Sequence, residues 1–152
     1  RRVLFRSTIP SANEFDVLEA IALQVKLAFG EASAVFIHPS TMATMKLIKD
    51  DVGRPVWKDY VTIDGSMRVS GMTIIESTAI TAGTFVGGDT TAVNLLIREE
   101  LGIQIGLDGN DFTQNKKTML VEKRLVQFVS ANDTPVLVKG DFATAIAALT
   151  IV

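Results

Sequence analysis

The chain has 152 residues, one histidine, no cysteine and a net charge of −2, a length that suits one domain with a core of its own. Lack of thiols and a single imidazole exclude a cysteine nucleophile or an iron–sulfur cluster and leave too few soft ligands for a zinc centre. The slightly acidic balance, with pI near 5.4, lacks the basic excess of a protein that grips nucleic acid through its phosphates.

The apolar fraction of 47% and mean hydropathy of +0.31 are high, yet no run reaches the ~20 apolar residues of a membrane-crossing helix. The surplus is expected in a generous core or on faces buried against copies of the same chain. Residues 1–7, RRVLFRS, look like the translation of a sequencing-library adapter, so the native sequence is expected to begin near Thr8. After Pro10, Ser11 and Glu14 form an S-x-x-E capping box, which predicts a helix start. Phe15, Leu18, Ala22, Val25 and Phe29 recur at helical spacing as an inward stripe, and Gly30 is expected to supply the left-handed residue that ends the helix.

Residues 34–37 read as a short buried strand leading to His38-Pro39. Proline is favoured at the first helical position, where its missing amide would have had no partner, so His38 is expected at the N-cap. Met42, Met45 and Ile48 continue a second amphipathic helix that Gly53 is expected to stop. Strands are then expected over residues 56–63, 67–76, 84–86, 92–98 and 101–105, with a turn at Glu99-Glu100. A polar loop at 106–115 precedes the longest β-like run, 118–129, and another strand follows at 136–138. The alanine-rich tail 142–149 suits either a helix or a strand. The sum is an α+β fold with a mixed or antiparallel sheet flanked by helices.

Catalytic constellations find little to stand on. A hydrolase using His38 would need a nucleophile elbow, and G-x-S-x-G is absent; Ser40 and Thr41 sit where hydroxyls cap amides. The run Gly83 to Asp89, GTFVGGD, lacks the lysine and hydroxyl of a phosphate loop and reads as a structural turn. Asp108, Asn110 and Asp111 lack the alternating oxygen ligands of a calcium loop. Glu122 and Arg124, two apart on a strand, share a face and are expected to pair with each other beside Leu120, Val126 and Phe128, fixing register or an intersubunit contact. No catalytic residue, cofactor or metal is expected.

Three segments occur in a recognisable order: "FIHPSTMATMKLIKDDVGRPVW", "VSGMTIIESTAITAGTFVGGD" and "DFTQNKKTMLVEKRLVQFVSANDTPVLVKGDF". Together they resemble the major capsid proteins of tailed bacteriophages with the Hong Kong 97-type fold. The matching positions are His38-Pro39 for an Asn-Pro helix start, the Lys49 to Gly53 turn, the strand at Gly71 to Ile74, and the hairpin ending at Asp89. Asn115 with Glu122 and Arg124, and then Lys139-Gly140, complete the set. His38 for Asn and Thr73 for Pro depart from it.

The resemblance implies a C-terminal fragment of such a protein: residues 8–110 an axial domain, 111–131 a long strand of the peripheral domain, and 132–152 a return to the axial domain. The N-terminal arm, extended loop and spine helix would precede it. In some family members a lysine on the extended loop is joined covalently to an asparagine with a glutamate assisting. Asn115 and Glu122 fall at those positions, but the donor loop lies outside this chain, so self-crosslinking is not expected. The implied function is a structural subunit assembling into pentamers and hexamers around double-stranded DNA, which is held by confinement, in a virion built in the bacterial cytoplasm. Implied partners are copies of itself, with scaffold or decoration proteins beside them, and no membrane. The rivals are an encapsulin-type nanocompartment shell, a hydrolase using His38, and a plain binding module.

Overall fold

The computed structural model describes residues 11–50, 52–61 and 66–150. The adapter-like segment 1–7, Asp51 of the Lys49 to Gly53 turn and the end of the strand expected at 56–63 lie outside the described residues. The chain divides into two units: residues 1–92 with 130–152, and residues 93–129.

The first unit is built on a five-stranded mixed sheet. Its strands are β1 (Ala34–Ile37), β2 (Arg68–Val69), β3 (Met72–Glu76), β4 (Thr84–Gly88) and β7 (Leu137–Asp141), in the order β2-β3-β1-β4-β7. The central strand β1 runs parallel to β3 and antiparallel to β4. Alternation along the strands sends Val35, Ile37, Ile74, Phe85 and Val138 to one face, all buried. Three helices contribute to the same core: α1 (Glu14–Leu27), α2 (Pro39–Lys46) and α3 (Phe142–Leu149). Ile75 and Val86, on the opposite parity, stay about 40% exposed.

Local chemistry explains these elements and corrects several expectations. The cap of α1 is Asn13, two residues beyond the expected Ser11. Asn13 Oδ1 accepts from the amides of Phe15 and Asp16 at 2.9 and 3.2 Å, and Asp16 Oδ2 accepts from the Asn13 amide at 2.9 Å, so the reciprocal box is Asn-Asp. At the other end, the Phe29 amide donates to Lys26 O and the Gly30 amide to Val25 O, both at 3.0 Å, the Schellman pattern. Phe29 itself takes the left-handed conformation at φ 62° and is fully exposed; the inward stripe ends at Val25. Glycine is required at position 30 for space: a Cβ there would lie 2.7 Å from Val136 Cγ1.

The second helix ends at Lys46, short of the expected Gly53. Asp50 closes a separate turn by accepting from the amides of Val52 and Arg54 and from Arg54 Nε. Residues Val56–Tyr60 form a 3-10 helix in place of a strand, which stacks the Tyr60 ring on Phe15 with centroids 4.7 Å apart. The strand expected over 67–76 is a hairpin, because Ser70 and Gly71 both have positive φ, 51° and 93°, and close a tight turn between β2 and β3. The tail is helical: Asp141 Oδ2 accepts from the Thr144 amide at 2.9 Å and caps α3.

The second unit is a two-stranded antiparallel ribbon of β5 (Val93–Gly106) and β6 (Thr118–Val129). The two strands expected on either side of Glu99-Glu100 are one strand of 14 residues; the register shifts around Glu99 but the pairing continues.

Gly30→Ala is expected to lower the thermal midpoint by an amount corresponding to about 1–3 kcal/mol of overpacking against Val136, measured by calorimetry. Gln24 carries a buried side-chain amide with neither its nitrogen nor its oxygen hydrogen-bonded; Gln24→Met is expected to raise the same midpoint, since a similar volume replaces an unsatisfied polar group.

Candidate assembly surfaces

His38 stands at the N-cap of α2, with Pro39 in the first turn. Its Nδ1 accepts from the Ser40 amide at 3.1 Å and lies 2.7 Å from Ser40 Oγ. That second distance suits a base and a nucleophile, but one lone pair is divided between the hydroxyl and a helix amide that has no other intrahelical partner. The geometry is that of a cap. Neighbouring hydroxyls are likewise engaged with backbone: Thr41 Oγ1 accepts from the Gly83 amide at 2.9 Å, and Thr44 Oγ1 donates to Ser40 O at 3.1 Å. Among the described residues no group of three or more His, Asp and Glu is placed to hold a metal ion.

The glycine-rich run at 83–89 is a junction. Gly88 takes φ 135°, and a Cβ there would fall on the Val136 carbonyl, so only glycine lets β4 and the start of β7 approach. Asp89 then gathers three segments. Its carboxylate accepts from the Thr91 hydroxyl at 2.6 Å, the Thr91 amide at 2.9 Å and the Glu31 amide at 3.1 Å, while its own amide donates to Val136 O. The Thr91 hydroxyl first, and then the Glu31 amide, hold the Asp89 carboxyl below the ordinary carboxylate range.

Arg124 has a different partner from the one expected. Its Nε lies 3.3 Å from Glu99 Oε2 across the ribbon, and Glu122 stands opposite Gly102. The sequence hid Glu99 because the double glutamate read as a turn; the signal that finds it is cross-strand register, which needs the bulges. Both partners of the pair are more than half exposed, so it contributes at most about 1 kcal/mol. Asn115, at φ 51°, lies within the connecting loop, whose hub is Asp111: the Asp111 carboxylate accepts from the Thr118 hydroxyl and the Asp108 amide. These bonds, the Thr118 hydroxyl foremost, lower the Asp111 carboxyl from its usual value.

The largest feature is apolar. On one ribbon face Val93, Leu95, Ile97, Ile103 and Ile105 stand opposite Val129, Gln127, Leu125, Val121 and Met119. The other face carries Leu96, Leu120, Val126 and Phe128 around Glu99, Glu122 and Arg124. Apart from the half-buried Val93, the apolar members of both faces are exposed, from Val129 at 36% to Ile105 at 64%. A strand rise of ~3.4 Å makes the ribbon roughly 45 Å long and each face on the order of 450 Å²; both together match the ~800 Å² that one partner contributes to a standard protein interface.

Comparison with known proteins follows the same line. A model of the Phage capsid family matches residues 6–126. No curated protein sequence matches significantly. Among solved structures, one from Microbacterium phage Oxtober96 is similar at TM-score 0.64 and 14% identity, over 88% of this chain and 49% of that one. The capsid of an empty GTA particle gives 0.60 and 16%, over 84% and 42%. A virus-like particle from Pyrococcus furiosus gives 0.50 and 14%, over 88% and 55%. The chain thus spans about half the length of these structures, and at such identities the likeness is one of fold.

Two outcomes are expected from this geometry. His38→Asn should keep the melting temperature, because asparagine caps as well, whereas His38→Ala should lower stability by about 1 kcal/mol. Asp89, with its carboxyl depressed in the folded state, stabilises fully above the ordinary value near 3.9, and the contribution is lost as pH falls through the folded-state value. Asp89→Asn should therefore lower the midpoint at pH 7 and flatten its fall below about pH 4, read from melts across pH.

Proposed function

This chain belongs to the phage capsid family and has a Hong Kong 97-like fold, and from that membership we propose that it is part of the structural subunit of an icosahedral phage capsid. Copies associate into pentamers and hexamers that enclose double-stranded DNA. The observation that carries the reading is the ribbon: a two-stranded sheet with exposed apolar side chains on both faces is marginal in water by itself and calls for protein cover. Shell subunits supply such cover through repeated heterologous contacts that close into rings and then into a shell.

In this reading the five-stranded unit is the axial domain and the long strand β6 belongs to the peripheral domain. The pairing of β6 along β5 supports assigning the whole ribbon from Val93 to the peripheral piece. Glu122, Arg124 and Asn115 then serve the peripheral surface, while His38, Pro39 and Asp89 shape the axial domain. A net charge of −2 favours DNA held by geometry over DNA held by phosphate contacts. The protein works in the virion, is assembled in the host cytoplasm, and takes scaffold or decoration proteins as further partners. The likeness to the Pyrococcus furiosus virus-like particle favours a second reading, an encapsulin-type shell that encloses protein cargo.

Electron microscopy of the longer gene product after expression decides. Closed icosahedral particles are expected; discrete small oligomers would overturn the proposal, and particles filled with a host-encoded cargo protein would favour the second reading.

A further inference from the structure

We infer that Phe29 of one copy seats in the pocket beneath the Lys46–Glu76 ion pair of a second copy; this contact rests on the shell-subunit reading and names one of its joints. Phe29 is the one fully exposed phenylalanine among the described residues, with its backbone left-handed at φ 62°. Glycine or asparagine is the usual occupant of that helix-ending position, and a bulky side chain there is a conformational outlier. Full exposure means that no packing within its own chain offsets the strain. An aromatic ring presented to solvent is the form of an interface anchor.

A matching receptacle exists in the same unit. A cavity of about 330 Å³ is lined by Met42, Met67 and Ile74, all buried, together with Trp57, and is rimmed by Lys46 and Glu76 with their charged atoms 3.4 Å apart. Thioether sulfurs and an indole favour an aromatic guest, and methionine adapts its shape to one. The rim carries one positive and one negative group. Phe29 is flanked by exposed Lys26 and Glu31, which offer the opposite pair, Lys26 to Glu76 and Glu31 to Lys46.

Placement selects a second copy as the occupant. Gly30 packs on Val136, at the head of edge strand β7, whereas the cavity lies beside β2 and β3 at the other edge of the five-stranded sheet. Five strands at ~4.8 Å spacing separate the two by roughly 19 Å, so Phe29 cannot reach its own cavity. A knob at one edge and a socket at the other make a head-to-tail contact, the kind that propagates into rings.

Phe29→Gly separates this role from a local one, because the two readouts move in opposite directions. Glycine should raise the thermal midpoint of the chain by a few degrees, by relieving the left-handed strain, while weakening concentration-dependent self-association at least tenfold in sedimentation velocity. Lys46→Glu combined with Glu76→Lys preserves an exposed pair but reverses its polarity, and should weaken association similarly with the midpoint unchanged. An equimolar mixture of the two variants retains one intact knob and one intact socket, so it should form pairs and nothing larger. Wild-type association by Phe29→Gly, or no pairing in the mixture, would overturn the contact. A wild-type chain that stays monomeric while the longer gene product builds shells would also overturn it and leave the shell reading standing. Failure of the longer product to build shells removes the shell reading itself.

Discussion

An uncovered ribbon constrains everything else in this protein. Antiparallel pairing of β5 with β6 satisfies one edge of each strand and leaves apolar side chains exposed on both faces. Hydrogen bonds alone do not hold such a hairpin in water, since each exchanges a bond to water for a bond to protein at a net gain of only about 1 kcal/mol. The exposed Arg124–Glu99 pair adds little more. What remains is exposed apolar surface on both faces, and in the proposed shell its burial by other protein is the driving force for assembly.

The five-stranded unit has the opposite character. Its core is closed: Phe15, Leu18, Ile21, Val35, Ile37, Met45 and Phe85 are buried in one cluster, and among the described residues only the Gln24 side-chain amide brings buried polar side-chain atoms without a hydrogen bond. Close approaches tie its parts together, with Gly30 against Val136, Gly88 against the Val136 carbonyl, and the Asp89 carboxylate joining residues 31 and 91. A rigid body of this kind can present its edges repeatedly in one geometry, which ring closure demands. The cap on α2 illustrates how a lone imidazole is absorbed by structure: proline at the first helical position leaves the next amide to be satisfied, and His38 satisfies it.

The sequence made the elements legible where one local rule dominated. His38-Pro39 announced a helix start, the short apolar run at 34–37 a buried strand, and 118–129 a long strand, and all three stand as expected. It misled where tertiary geometry chose between local options. Gly30 drew the left-handed assignment because glycine tolerates positive φ, yet it is there for space, and Phe29 bears the unusual φ. Glu99-Glu100 read as a turn because a bulge breaks alternation in the same way that a turn does. The aromatic-bearing stretch at 56–60 read as a strand, but Tyr60 is placed by stacking on Phe15, a contact with no signature in local periodicity. The ordered set of short motifs pointed to the family, whereas the exposure of both ribbon faces became visible only with the register in hand.

Amide hydrogen exchange, followed in the dispersed chain and again in assembled particles of the longer gene product, measures whether the ribbon is protected by assembly alone. Amides of Val93–Gly106 and Thr118–Val129 should exchange far faster than those of Val35 and Phe85 in the dispersed chain, and become protected on assembly. Ribbon amides as protected in the dispersed chain as those of β1, with no further gain in the particle, would contradict it.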